Sequence, residues 1–84
     1  LWLTICELLD REPEKIDPVE KSILLLGAFE LSAHMEIPFK VVITESVDLA
    51  KIFGATDSYK YVNSILDRLA TTFRSIEVGA LQVR

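Results

Sequence analysis

The chain has 84 residues, half of them apolar (50%), and a formal net charge of -4. A chain this short forms one domain at most and buries only about 60% of the surface its unfolded form exposes, so the high apolar content predicts surface that faces a partner. The acidic balance argues against an unaided tight grip on nucleic acid, which takes a basic stripe that releases counterions.

Punctuation along the chain divides it into helices, and no alternating strand pattern competes. An apolar stripe of Leu1, Ile5, Leu8 and Leu9 predicts a helix from the first residue to about Arg11, after which the charged run and Pro13 end it. Because that stripe is already running at residue 1, with no initiator Met, residues 1–11 read as the tail of a helix that begins earlier, and the chain as a fragment. Asp17 as N-cap, Pro18 at the first helical position and Glu20 in a capping-box-like position then mark the strongest helix start. The helix from Pro18 to about Met35 is apolar nearly all round and is expected to sit centrally. Gly27 in its middle costs about 1 kcal/mol relative to Ala, which predicts that another helix crosses closely there. Glu30 is expected to tie this helix to a neighbouring helix end if its carboxylate is buried.

Pro38 breaks the helix, since the residue before a proline is driven out of the helical region. A further helix, about Phe39 to Phe53, carries Val42, Ile43, Val47, Leu49, Ala50 and Phe53 on an apolar arc and Lys40, Thr44, Asp48 and Lys51 on the opposite face. Gly54 is expected as its left-handed C-cap, and Thr56 or Asp57 as the cap of the next helix, which runs to about Phe73. There, at about 100° per residue, Val62, Ile65, Leu66, Leu69 and Phe73 centre one apolar arc. Tyr61 falls at its edge, with Lys60, Asn63, Ser64 and Asp67 outside. Tyr61 and Lys60 thus set an aromatic ring and a cation side by side at the rim. For residues 75–84 a short helix, a partner contact and disorder all stay open. The fold class read from these elements is all-α, a small helical bundle of about four helices.

Catalytic chemistry finds no foothold. The one histidine, His34, has no nucleophile at a supporting spacing and reads as a capping or surface residue. There is no GxGxxG, Walker A loop, HExxH or CxxC, and the carboxylates fall in no pattern that specifies a metal. No cofactor is expected. Cys6, the single cysteine, forms no disulfide framework and reads as a buried structural thiol. No apolar run reaches the roughly 18 residues of a membrane span and the start lacks signal-peptide features, so the expected location is the cytoplasm.

The runs "DPVEKSILLLGAFEL" and "IPFKVVITESVDLAKIFGATDSYKYVNSILDRLA" resemble the C-terminal half of the NusB family of bacterial transcription antitermination factors. The likeness covers about Asp17 to Arg74 and is carried by several linked motifs in order; Ser64 departs from it, where the family often has Gly. The resemblance implies an all-helical protein of two small subdomains, of which residues 17–74 are the second, residues 1–11 a helix tail from the first, and residues 75–84 a C-terminal tail. It further implies a non-catalytic factor that works with a small-subunit ribosomal protein, NusE, on boxA-type single-stranded RNA within the RNA polymerase antitermination complex, promoting transcription of ribosomal RNA operons. Carried over by motif, the RNA-facing residues are Asp57, Ser58, Lys60 and Tyr61 with Phe53 beside them, and Glu20 matches a position at the ribosomal-protein interface. Lys60 can neutralise a phosphate and Tyr61 can stack on an unpaired base; equally, Tyr61 can pack on the core edge, Lys60 can be an ordinary solvated lysine, and Asp57 and Glu20 can serve as helix caps. The family's arginine-rich first helix is absent from these residues, so the chain alone is expected to hold boxA RNA weakly and to self-associate through the uncovered apolar face. Two alternatives stay open: the RNA-binding domain fused to a ribosomal RNA cytosine methyltransferase, and a generic helical interaction module that binds no RNA.

Overall fold

Prolines, caps and apolar periodicity place the helices. In the computed structural model, which describes residues 1–82, they are α1 (Trp2–Cys6), a 3-10 turn (Pro13–Lys15), α2 (Pro18–Ala33), α3 (Phe39–Phe53), α4 (Ser58–Phe73) and α5 (Ser75–Gln82). No strand occurs among the described residues. The first helix is shorter than its apolar stripe predicts. It unwinds after Cys6 through turn bonds from Leu8 N to the Ile5 carbonyl and Leu9 N to the Cys6 carbonyl, and Arg68 Nη1 donates to the Leu8 carbonyl at 3.0 Å. Unwinding lets residues 8–11 run as a strap beside α4 while Ile5 stays fully buried.

The α2 start follows its chemistry: Asp17 Oδ1 accepts from Val19 N at 2.7 Å, with Pro18 at N1. Glu20 closes no capping box, because its side chain is turned inward and only 3% exposed. Helix α2 packs against α3 and α4 through Ile23, Leu24, Ala28 and Leu31, which meet Val42, Ile43 and Ala50 of α3 and Val62, Ile65, Leu66 and Leu69 of α4 in one cluster. Gly27 lies at a tightly packed point, as expected, but side chains rather than a backbone fill the space: a Cβ there would lie 2.9 Å from Leu66 Cδ1 and 3.0 Å from Ser46 Oγ. Leu66 is fully buried and Ser46 Oγ is bonded to the Val42 carbonyl, so neither yields freely. Gly27→Ala gains roughly 1 kcal/mol of helix propensity yet is expected to be destabilising overall, and Gly27→Val more so, by on the order of 1–3 kcal/mol of overpacking. Urea unfolding of the two variants checks this; a more stable Gly27→Ala would contradict it.

On α2 Val19, Leu26 and Phe29 remain 40–50% exposed, apolar surface of the kind the composition predicts. Met35, which the sequence places in the last turn, lies beyond the helix, whose C-cap is His34. Nor is Glu30 the tie to a helix end. Its carbonyl, not its carboxylate, is held, together with the carbonyls of Leu31, His34 and Ile37, by the guanidinium of Arg74 at 2.8–3.2 Å. Arg74 is 4% exposed and also pairs with Glu77 Oε1 at 2.8 Å, whose Oε2 accepts from Phe39 N at 3.0 Å. One buried arginine therefore closes the end of α2, and the carboxylate beside it closes the start of α3. Residues 75–82, left open by the sequence, form the short helix that brings Glu77 to this position; residues 83 and 84 lie outside the described part.

Candidate functional site

The α3–α4 connection carries most of the residues singled out by motif. Gly54 is not left-handed, with φ -86° and ψ 171°. It is needed for space, since a Cβ would collide with Ser58 Oγ and stand 2.7 Å from the Ala50 carbonyl. The left-handed residue is Asp57, at φ 67°, a conformation that Asp and Asn tolerate better than most side chains. In that conformation Asp57 makes no side-chain cap bond, contrary to its expected role. Its carboxylate instead stands 3.5 Å from Lys60 Nζ, both groups being solvated.

Of the five residues of the tyrosine–lysine edge, three face solvent: Phe53, 64% exposed despite its place on the predicted apolar arc, Asp57 and Lys60. Ser58 does not. As the first residue of α4 it points back toward α2 and is 4% exposed, so it is no direct contact for a ligand on the outer surface. Tyr61 lies at the edge of the core, half-buried as its position on the arc predicts, with its hydroxyl inside. Neighbouring Tyr59 is likewise half-buried, and the ammonium groups of Lys51 and Lys60 stand 5.1 and 5.9 Å from its ring centroid.

The feature that motif reading missed is Arg11. Its guanidinium carbon lies 3.8 Å from the centroid of the Tyr61 ring, and its Nη1 is 3.7 Å from Glu20 Oε1. One side chain from the strap thus joins the residue expected to face RNA to the residue expected to face the ribosomal protein. Its position is fixed at both ends of the strap, because Arg68, seven residues beyond Tyr61 on the same face of α4, holds the Leu8 carbonyl. The lone arginine in the acidic run "LLDREPEK" was the available signal, and in sequence it reads only as a helix end.

Electrostatics follow from burial. Desolvation raises the pKa of Glu20 above the usual carboxylate range, and Asp17 adds to this; Arg11 and the Ser58 hydroxyl pull it back. Burial likewise raises the Tyr61 phenol, helped by Asp10 and opposed by Arg11. Ser58 and Asp10 are near enough to act on these groups but do not reach hydrogen-bond geometry, so Glu20 Oε1, Ser58 Oγ and Tyr61 OH are buried without a hydrogen-bond partner in the chain. Moving Arg11 away would forfeit a cation–π contact of about 0.5–2 kcal/mol and take the neighbouring cation from buried Glu20. Arg11 is therefore held firmly. Among the described residues no group of three or more His, Cys, Asp and Glu converges on a metal-sized site, and no helix is long and apolar enough to cross a membrane.

Comparison with known proteins bears on the family. The chain matches the NusB family over residues 3–71. It is similar to a protein of Chromohalobacter salexigens named transcription antitermination protein NusB, at 56% identity over 92% of this chain and 46% of that protein. Proteins of the same name from Paraburkholderia xenovorans and Hydrogenovibrio crunogenus are 50% and 59% identical over 100% and 82% of this chain, and 58% and 43% of their own lengths. The chain spans about half the length of the curated relatives it matches. No solved structure matches it. With a family match over most of its residues, relatives at half identity or better and the all-helical fold the resemblance implies, the chain belongs to the NusB family.

Proposed function

We propose that this chain is the C-terminal subdomain, residues 17–74 with its flanking segments, of a non-catalytic, cytoplasmic transcription antitermination factor. It acts with the small-subunit ribosomal protein NusE on boxA-type single-stranded RNA, in the RNA polymerase antitermination complex, to promote transcription of ribosomal RNA operons. The observation that carries this reading is that proteins named for antitermination share half or more of their residues with this chain over most of its length. The edge suits the task chemically. Lys60 offers a solvated cation for a phosphate, Phe53 an exposed ring, and Tyr61 a ring backed by Arg11. The exposed Val19, Leu26 and Phe29 stripe of α2 offers apolar surface for a protein neighbour, and Glu20 organises the adjoining surface from beneath.

The test is a pull-down of the full gene product with the ribosomal partner, with and without boxA-type RNA. Retention of both supports the reading, and retention of neither would leave a helical interaction module of another kind. A charge change sharpens it. Asp57 holds Lys60 and would repel a phosphate, yet caps nothing. Asp57→Asn tolerates the left-handed backbone and removes the charge, so it is expected to tighten RNA binding several-fold with little change in melting temperature. Unchanged or weaker binding in a fluorescence titration would count against this surface.

A further inference from the structure

The ring that motif reading assigns to base stacking is already covered. Tyr61 is half-buried with its hydroxyl inside, and the guanidinium of Arg11 lies 3.8 Å from the ring centroid. A base arriving at this edge must either displace Arg11 or rest on it. Displacement gives up the cation–π contact and the cation beside buried Glu20, whereas a base resting on the guanidinium keeps both. The arginine side chain is 46% exposed, so part of it is open to solvent. Unpaired RNA bases stack on arginine planes as well as on aromatic rings.

We propose that Arg11 is the base-contacting layer of this site: its guanidinium, backed by the Tyr61 ring and tethered by Glu20, is the platform on which an unpaired nucleobase of single-stranded RNA lands. Local charge favours this role over a grip on phosphate. Two carboxylates, Asp10 and Glu20, flank the one guanidinium, so the cluster does not attract a phosphate, whereas the planar face of the guanidinium remains. Lys60, solvated and outside the cluster, is the phosphate contact. The strap holds the platform in place before RNA arrives, pinned by Arg68 on the Leu8 carbonyl.

The inference rests on the reading that the start of α4 faces RNA, and the experiment separates the two. The full gene product, with its ribosomal partner, is titrated with boxA-type single-stranded RNA carrying 2-aminopurine in place of single adenines. Wild type is expected to quench the probe at one position. Arg11→Lys keeps a cation for Glu20 but has no plane; it is expected to lose that quench and bind about ten-fold more weakly. Lys60→Ala is expected to keep the quench and to lower the salt dependence by about one phosphate contact. Should Arg11→Lys be unstable, the pair Arg11→Met with Glu20→Met removes the buried carboxylate together with its exposed counter-charge, so that neither is left unpaired, and must show the same lost quench. Full affinity and quench in either variant would overturn the platform while leaving the reading beneath it intact. Loss of the ribosomal partner with RNA binding unchanged would make Arg11 a protein contact and overturn it too. If wild type binds no RNA, or Lys60→Ala changes nothing, the underlying reading falls and the platform with it.

Discussion

Arg74→Ala is expected to cost about 3–5 kcal/mol of folding stability, the scale for removing one partner from a buried charged network. The last carbonyls of a helix have no partner within it, and here four carbonyls at and beyond the end of α2, those of Glu30, Leu31, His34 and Ile37, converge on one guanidinium. Native domains hold only about 5–15 kcal/mol in all, and one this small sits low in that range, so much of the Ala variant should be unfolded at room temperature. At roughly 4–8 °C per kcal/mol the melting temperature is expected to fall by tens of degrees. Arg74→Lys restores the charge but cannot reach several acceptors at once and should fall between. Circular dichroism melts decide; a shift of only a few degrees would show that the network is ornamental. The same network has a pH signature. The Phe39 amide and Arg74 hold the Glu77 carboxyl below its ordinary value. Its contribution is therefore present above that value and lost as pH falls through the lowered one, and Glu77→Gln is expected to flatten the acid limb of the stability profile.

Reversing the charge at Glu20 is the second large effect. Glu20→Lys places an ammonium beside Arg11 in a site that is 3% exposed, setting two like charges against each other. A loss of about 3–5 kcal/mol is expected, and partner binding should go with it. Glu20→Gln should behave differently. Burial raises the Glu20 pKa above its unfolded value, so the folded state favours the protonated acid; this group's contribution is fully present below the ordinary carboxylate value and is lost as pH rises through the raised one. Gln mimics the neutral acid. It is expected to cost less than about 1 kcal/mol at neutral pH and to remove that slope. Urea midpoints at acid and neutral pH measure the difference; equally small losses for Lys and Gln would contradict an internal carboxylate, and equally large ones would contradict the reading of Gln as a mimic of the neutral acid.

Helix positions were legible because prolines and caps act locally: Asp17 and Pro18 start α2, and Pro38 separates it from α3. The apolar arc of α4 was legible too, down to Tyr61 at its margin. What could not be read were interactions that cross the chain. Arg74 stands at the end of the matching motifs with no local sign that it will meet carbonyls some 40 residues earlier. Arg11 stands in an acidic run whose periodicity suggested one more helical turn, whereas tertiary contacts unwound it into a strap. Gly54 and Asp57 show a subtler miss. Both were placed at the correct junction, but the glycine answers a steric demand and the aspartate takes the left-handed backbone.

The most direct measurement is photo-crosslinking. Full gene product bound to its ribosomal partner and to boxA-type RNA carrying 4-thiouridine would be irradiated and the attached peptides identified by mass spectrometry. Crosslinks are expected on the peptides that hold Lys60 and Tyr61 and on the one that holds Arg11. Efficient crosslinking confined to other surfaces, with these peptides untouched, would contradict the assignment of RNA to this edge.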